Sequence, residues 1–188
     1  MPAVESKMIE LGTLAPEFTL PNTNSNYPGQ SVSFSNFSES KGILIAFICN
    51  HCPYVVQLKS GFTEFARDYQ KKGIAVVAIS SNDVSTHPAD APENMTADAL
   101  RYGYSFPYLY DESQAVARAY DARCTPDFYL FDAENKLVYR GQFDGSRPGN
   151  DVAVTGVDLR MAADALLTGQ PVSQNQIASL GCSIKWKA

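Results

Sequence analysis

A continuous apolar run at residues 43–48 leads directly into two cysteines, Cys49 and Cys52, and then Pro53. A run of this kind is typical of a central strand that is covered on both faces of its sheet. Pro53 suits the first position of a helix, and apolar residues follow it at roughly helical spacing. A mostly apolar run at residues 74–80 predicts a second buried strand. Strand, helix and strand in this order predict a right-handed parallel crossover, and therefore an α/β protein.

Shorter segments predict the rest of a mixed central sheet with helices on both of its faces. Residues 16–21 and 31–34 alternate apolar and polar side chains, which predicts an N-terminal β-hairpin. Residues 128–131 and 136–140, joined by a polar turn, predict a second hairpin. Helical patterns are found at residues 93–102, 114–120 and 155–167.

Length and composition favour one domain. With 188 residues, of which 45% are hydrophobic, the chain is long enough for one well-buried core and short for two. We therefore expect a single domain over residues 1–188, with residues 1–15 as an N-terminal lead and residues 170–188 as a C-terminal tail. A net charge of -5 argues against nucleic acid or an anionic membrane as a partner. Neither a signal-like segment nor a long apolar run is visible, so we expect a cytoplasmic protein without membrane spans.

Cys49 and Cys52 are the candidate catalytic residues. The chain has four cysteines, which are too few and too unevenly spaced for a disulfide scaffold. A pair two residues apart at the start of a helix lies instead where unpaired N–H groups favour a thiolate. His51, as an imidazolium, is expected to lower the pKa of a neighbouring cysteine further.

A metal site is the alternative interpretation of the same residues. Thiolates suit Cu(I) or Zn(II), and a metal-binding or copper-delivery module would use Cys49 and Cys52 with His51, Cys124 or His87. The sequence contains no second C-x-x-C and no H-x-x-H, so a closed four-ligand site has no evident ligand set. We therefore predict a redox role for the pair, with no metal and no cofactor.

Three motifs carry a resemblance to a known family. They are F-x-C-N-H-C-P-Y-V at residues 47–55, C-T-P-D-F at residues 124–128 and G-C-S-I-K-W-K at residues 181–187. On these segments the chain resembles the redoxin superfamily, and more closely the peroxiredoxin-like branch of the alkyl hydroperoxide reductase/thiol-specific antioxidant proteins. The resemblance implies a thioredoxin-like fold in which Pro126 is a cis-proline and Thr125 presents backbone groups to a substrate chain. It also implies a protein or small-molecule disulfide, or a hydroperoxide, as substrate, and a thiol reductant as partner.

The residues leave open which cysteine is the nucleophile. In the thioredoxin-like register, Cys49 is the exposed nucleophile and Cys52 resolves the intermediate. If Phe47 at the strand end is held fixed instead, Cys52 falls where the family's first cysteine stands. Cys52 is then the N-cap of the helix and Pro53 its first residue, where the helix dipole acts most strongly. This second register favours Cys52 as the nucleophile.

Departures from the peroxiredoxin pattern weaken the peroxidase interpretation. That pattern has a proline seven residues and a threonine three residues before its reactive cysteine. Relative to Cys52, these positions are held by Ile45 and Cys49, and counting from Cys49 restores neither residue. The arginine that activates the peroxidatic thiolate has no assured match. Arg123 is the nearest candidate and is expected at the surface.

Three further residues have open roles. Cys124, two residues before Pro126, is expected near the pair, either as a third thiol or as a small buried residue. Cys182 either resolves a sulfenic acid or packs, and packing is favoured because no helix start or basic neighbour is evident there. His87 is expected in a solvated loop that borders the site. The first hypothesis is a thiol-disulfide oxidoreductase, the second a thiol peroxidase and the third a metal-binding module.

Overall fold

The computed structural model describes residues 3–188, and in that part of the chain it has ten β-strands and four α-helices. The strands are β1 (Ala3–Glu5), β2 (Thr19–Pro21), β3 (Ser31–Ser33), β4 (Gly42–Phe47), β5 (Ile74–Ser80), β6 (Tyr108–Tyr110), β7 (Cys124–Thr125), β8 (Asp127–Asp132), β9 (Leu137–Gly141) and β10 (Leu180–Ser183). The helices are α1 (Pro53–Gln70), α2 (Pro92–Tyr102), α3 (Ala115–Ala119) and α4 (Val157–Leu167). None of these helices combines the length and the apolar character required to cross a membrane.

The main sheet has five strands in the order β6-β5-β4-β8-β9. β4 pairs in parallel with β5 and antiparallel with β8 along its whole length. Every residue of β4 is buried, because both of its edges are paired and both of its faces are covered. The predicted parallel crossover and the mixed sheet are therefore confirmed. The last residue of β4, Phe47, fixes where the chain leaves the sheet for the cysteines.

Alternate residues of β4 belong to two separate apolar clusters, one on each face of the sheet. Leu44 and Ala46 join the cluster that includes buried residues of α1, α2 and α4. Ile45 and Phe47 join the cluster that includes buried residues of α3, β2 and β3. Helices therefore lie on both faces of the sheet, as the sequence predicts.

Most of the predicted elements are present, with boundaries shifted by a few residues. β2 and β3 form the N-terminal hairpin, and β8 and β9 form the second hairpin. α2, α3 and α4 correspond to the three helical patterns. β6 was not predicted, because its three residues are all buried and too few to show a strand pattern.

A second sheet joins the two ends of the chain to the segment before β8. Its strand order is β1-β10-β7, and β10 is antiparallel to both neighbours. The predicted lead and tail therefore each contribute a strand, whereas residues 1 and 2 of the lead lie outside the described residues. The assignment of one domain stays a prediction. This sheet was not predicted, because its strands have two to four residues and find their partners far along the chain.

Asp127, the first residue of β8, is expected to make stability depend on pH. Its carboxyl group is buried and accepts hydrogen bonds from Tyr129 Oη at 2.8 Å and from the Phe128 N–H at 3.1 Å. Burial raises the pKa of Asp127 to about 7 despite these bonds. An unfolded chain releases the same proton near a pH of about 4, so ionisation favours unfolding. The free energy of unfolding should fall by roughly a few kcal/mol through this residue as the pH rises from about 4 to about 7.

Urea unfolding of the wild type and of Asp127→Asn at about pH 4 and about pH 7 tests this expectation. Asparagine does not ionise, so the variant should lose less stability than the wild type between the two pH values. Equal losses in the two proteins would contradict the assignment. The comparison between the proteins removes the contribution of every other titrating group that they share.

Candidate active site

The link between β4 and α1 carries the cysteine pair. Cys52 is the N-cap of α1, with an extended backbone at φ -63° and ψ 125°, and Pro53 is the first helical residue. Cys49 lies between the end of β4 and this cap. Cys52 is therefore the thiol at the helix N-terminus, where the positive end of the helix dipole acts. This is the arrangement of the second register.

The Cys52 sulfur lies against the sulfur of Cys182, with the two Sγ atoms 2.7 Å apart. Cys52 Sγ lies 3.4 Å from the Thr125 carbonyl oxygen, to which the thiol donates when it is protonated, and Cys49 Sγ lies 3.4 Å from Thr125 Oγ1. Cys49 and Cys52 are 1% and 0% exposed, whereas Cys182 is 9% exposed. Three thiols are thus gathered around Thr125, and Cys182 is the most exposed of them.

The peptide bond between Thr125 and Pro126 is cis, which confirms that prediction. Thr125 lies beside the sulfurs, as the resemblance implies. Its backbone is not free, because Thr125 is the register partner of Cys182 in the antiparallel pairing of β7 with β10. The position that the resemblance gives to a substrate chain is therefore occupied by β10 of the same chain.

Gly181 allows β10 to approach β7 this closely. A Cβ atom at Gly181 would lie 1.9 Å from the Thr125 carbonyl oxygen and 3.1 Å from Pro126 Cδ. Any side chain at this position would push β10 away from β7, and Cys182 would move with it. Glycine is therefore required at position 181 on steric grounds, and the contact between Cys182 and Cys52 depends on it.

Cys52 is the thiol whose ionisation the site favours. The pKa of Cys52 is lowered to about 5, and the largest cause is the hydrogen bond with the Cys49 side chain. Burial acts in the opposite direction, whereas Cys182 and the Val55 N–H lower the pKa further. Interaction with Cys52 and burial raise the pKa of Cys49 well above its usual range. Burial and then interaction with Cys52 raise the pKa of Cys182 to about 12, against the influence of Lys185. Cys52 therefore carries the negative charge, and the neighbouring thiols stabilise it.

His51 lies against a buried carboxylate, with its Nδ1 atom 2.7 Å from Asp90 Oδ2. Asp90 is fully buried, and the imidazole ring of His87 stacks on that of His51 with 5.6 Å between centroids. The loop of His87 therefore borders the site, as expected. Cys49, His51 and Asp90 each present an atom within 4.8 Å of the others. Because this group includes Cys49, we propose that His51 acts on the ionisation of the pair from the Cys49 side.

Asp90 also connects the cysteine loop with the C-terminal tail. Its Oδ1 atom accepts a hydrogen bond from the Asn50 N–H at 2.8 Å, and its Oδ2 atom accepts one from Asn82 Nδ2 at 2.8 Å. Asn82 Oδ1 in turn accepts the N–H of Lys185 at 2.9 Å. The sequence predicted neither Asp90 nor Asn82 as part of the site, because their partners lie in other segments of the chain.

The group of Cys49, His51 and Asp90 is the one that fits a metal ion among the described residues. One sulfur, one nitrogen and one oxygen ligand would suit Zn(II). Both oxygens of Asp90 already accept hydrogen bonds, and the candidate ligands Cys124 and His87 are not members of the group. The arrangement therefore offers three ligands, whereas a closed structural zinc site has four.

Cys124 and Arg123 lie to the side of the sulfur cluster. Cys124 is buried, its thiol donates to the Pro126 carbonyl at 3.9 Å, and burial raises its pKa. Arg123 has a 55% exposed side chain 3.8 Å from Asp121, so it lies at the surface as predicted. Cys182 packs in the apolar cluster, as expected, but it is also the third thiol in contact with Cys52.

The contact of Cys182 was the feature that sequence reasoning underestimated. Lys185, three residues later, is a basic neighbour that influences its ionisation. The C-terminal motif contains one signal for this contact, the pair Gly181-Cys182. A glycine within a strand indicates that another backbone approaches closely, and here that backbone is the one at Thr125.

Comparisons with known proteins find related sequences. Residues 11–140 match the AhpC/TSA family. The thiol-disulfide oxidoreductase ResA of Geobacillus thermodenitrificans is 24% identical over 133 residues, which are 71% of this chain and 70% of that protein. A peroxiredoxin of Thermoplasma volcanium is 29% identical over 143 residues; the match covers 72% of this chain but 59% of that protein.

Solved structures show the same fold. An uncharacterized conserved protein from Geobacillus kaustophilus is 53% identical and superposes with a TM-score of 0.95, covering 100% of this chain and 97% of that one. A putative thiol:disulfide interchange protein DsbE from Chlorobium tepidum is 22% identical, with a TM-score of 0.65 over 85% of this chain and 99% of that one. The second likeness shows the fold alone, and it confirms the predicted thioredoxin-like fold.

The ionisation of Cys52 is expected to be visible in the absorbance of the thiolate as the pH of the reduced protein is varied. A transition with a midpoint at about 5 should be present in the wild type and absent in Cys52→Ser. Cys49→Ala should raise the midpoint because the largest stabilising group is lost. His51→Ala should raise it as well, as the sequence predicts.

Cys124→Ser is the matched control for this titration, because it removes a buried thiol that has its own carbonyl partner. The midpoint should not change in this variant. A midpoint near the free-cysteine value of about 8.5 in the wild type would contradict the assignment of Cys52 as the thiolate. An unchanged midpoint in His51→Ala would exclude a tuning role for His51.

Proposed function

Because the chain belongs to the AhpC/TSA family of thiol-dependent oxidoreductases, we propose that it catalyses thiol-disulfide exchange through Cys52, with Cys49 as the second thiol of the redox pair. The observation that carries this proposal is the position of Cys52 at the N-cap of α1, beside two other thiols. A thiolate stabilised at a helix start is the reactive form in exchange reactions.

The proposed reaction begins when the Cys52 thiolate attacks one sulfur of a substrate disulfide. A mixed disulfide forms, and the other substrate sulfur leaves as a thiolate that takes a proton from solvent. A second protein thiol then attacks the Cys52 sulfur, gives up its proton and releases the remaining substrate thiol. Two protein thiols are oxidised and one substrate disulfide is reduced to two thiols. An external thiol reductant returns the protein to the reduced state.

The low pKa of Cys52 bears on how easily the protein disulfide is reduced again after each turnover. A thiol of low pKa is the better leaving group, so the protein disulfide is more easily reduced than one between ordinary thiols. At neutral pH the pKa of about 5 leaves Cys52 ionised. We infer that the reduced form is stabilised and that a reducing compartment, the cytoplasm, is where the pair is recycled.

The burial of Cys52 bears on which disulfides can react. The thiol is 0% exposed, and the backbone of Thr125 is already paired with β10. A protein substrate that needs this backbone must displace β10, whereas a small disulfide needs only enough opening to reach one sulfur. We therefore infer that low-molecular-weight disulfides are the better substrates.

A thiol peroxidase is the alternative, and the similarity to a peroxiredoxin supports it. In that reaction the Cys52 thiolate would reduce a hydroperoxide to an alcohol and become a sulfenic acid, which then condenses with a second thiol to give a disulfide and water. Thr125 offers a hydroxyl group near the sulfurs, but its Oγ1 atom contacts Cys49. This position differs from that of the threonine in the peroxiredoxin pattern, so exchange is the better supported activity.

Metal binding is the second alternative, and the group of Cys49, His51 and Asp90 supports it. Protein that is purified without added metal should contain far less than one equivalent of zinc or copper if the redox role is correct. Stoichiometric metal that is lost in His51→Ala would favour the metal-binding module instead.

The reaction type can be decided by comparing two rates in the same reduced protein. We expect oxidised glutathione, as a small disulfide, to be consumed faster than hydrogen peroxide, and both reactions to be lost in Cys52→Ser. Cys124→Ser is again the matched control and should keep both rates. Faster consumption of peroxide would establish the peroxidase alternative. Full activity in Cys52→Ser would contradict the proposed nucleophile.

A further inference from the structure

We propose that Cys182 is the thiol that resolves the intermediate on Cys52, so that the protein passes through a disulfide between Cys52 and Cys182. This inference rests on the attack by Cys52 in the proposed function, and it assigns the second step of that reaction to Cys182 in place of Cys49. The two Sγ atoms are 2.7 Å apart, somewhat more than a disulfide bond length of about 2.05 Å. Cys52 and Cys182 can therefore be joined with little movement of the backbone.

Backbone pairing on both sides of β10 holds Cys182 in position. Cys182 is the register partner of Ala3 in β1 and of Thr125 in β7. Gly181, immediately before it, permits the approach to the Thr125 carbonyl oxygen. The central strand of a three-stranded sheet has no free edge, so the sulfur contact is held by backbone pairing and is not the chance orientation of a mobile tail.

The chain after Cys182 is anchored as well. The Lys185 N–H donates to Asn82 Oδ1 at 2.9 Å, and the Lys185 carbonyl accepts the Asp83 N–H at 2.8 Å. Gln114 Nε2 donates to the same carbonyl at 2.8 Å. Asn82 also donates to Asp90, which holds the loop between Cys49 and Cys52. The segment that carries Cys182 and the loop that carries the pair are therefore fixed to common partners.

The change of charge during the reaction favours Cys182 at the resolving step. Burial and the charge on Cys52 raise the pKa of Cys182, and Lys185 lowers it. When Cys52 is in a mixed disulfide, its charge is gone, and the influence of Lys185 remains. Asp90, by contrast, raises the pKa of Cys49. Cys182 is also the more exposed thiol, so its deprotonation costs less desolvation.

The resolving step balances without any further reactant. The Cys182 thiolate attacks the Cys52 sulfur of the mixed disulfide, and a new S–S bond forms as the bond to the substrate sulfur breaks. The substrate leaves as a thiolate and takes the proton that Cys182 released. Cys49 remains the alternative resolving thiol, and the two possible disulfides are distinguishable by their positions in the sequence.

Peptide mapping distinguishes the two disulfides directly. Cys49 and Cys52 lie together in the tryptic peptide of residues 42–59, whereas Cys182 lies in residues 161–185. The full-length protein is treated with one equivalent of oxidised glutathione, quenched with acid at short times and alkylated before digestion. We expect the first disulfide between two protein cysteines to link the two peptides. A disulfide confined to residues 42–59 at every time point would overturn the proposal and leave the exchange activity of Cys52 intact.

Two single variants give a matched comparison. In Cys49→Ser, the two peptides should still become linked, with no accumulation of glutathione on Cys52. In Cys182→Ser, glutathione should stay on Cys52 and turnover should fall by about tenfold or more, while its first attachment continues. The opposite pattern, with glutathione retained in Cys49→Ser and released in Cys182→Ser, would make Cys49 the resolving thiol. If glutathione attaches to none of these proteins, the proposed function itself is contradicted.

Gly181→Ala tests the geometry without removing a thiol. The added Cβ atom would push β10 away from Thr125. The disulfide between the two peptides should therefore form at least about tenfold more slowly, while the first attachment of glutathione continues. A thermal melt provides a second readout. A link between residues 130 positions apart should raise the Tm of the oxidised protein by several degrees, whereas a link within C-x-x-C closes too short a loop for this effect. An unchanged Tm after complete oxidation would count against the long link.

Discussion

The complete burial of β4 is the constraint on which the rest of the structure depends. β4 is paired along its whole length with β5 on one side and β8 on the other. A shift of one residue would exchange the side chains that face the two apolar clusters, so the register is strongly fixed. The point where β4 ends, at Phe47, therefore determines where the cysteine loop begins and where α1 starts. The site is positioned by the apolar core beneath it.

The pairing of β10 with β7 adds the second half of the site to this frame. It carries a segment from the far end of the chain to the cis peptide bond before Pro126 and places Cys182 against Cys52. The same pairing covers Cys52 and satisfies the backbone of Thr125. Reactivity and protection therefore come from one element, because the strand that buries the nucleophile also brings the thiol that can react with it.

Burying a thiolate is costly unless groups around it donate hydrogen bonds or carry positive charge. The site meets this requirement with neutral donors: the thiols of Cys49 and Cys182 and N–H groups at the start of α1 and in β10. The imidazole ring of His51 and the carboxyl group of Asp90 lie on the Cys49 side of the pair. The negative charge therefore lies on the Cys52 sulfur, whereas the sulfurs of Cys49 and Cys182 keep their protons. A reaction in which one thiolate attacks and a second thiol then resolves the intermediate requires this distribution.

The sequence by itself determined the central strands, the start of α1 and the pair of cysteines at its cap, because apolar runs, a proline after a cysteine and helical spacing are local signals. It also predicted Thr125 and Pro126 beside the pair through the resemblance of its motifs. Only the tertiary structure decided that Cys182 contacts Cys52 and that Asp90 and Asn82 support the loop and the tail. These contacts join segments that are distant along the chain, through strands of two to four residues and single hydrogen bonds. Local patterns carry no information about such pairings, because their energy arises only when the apolar core has brought the segments together.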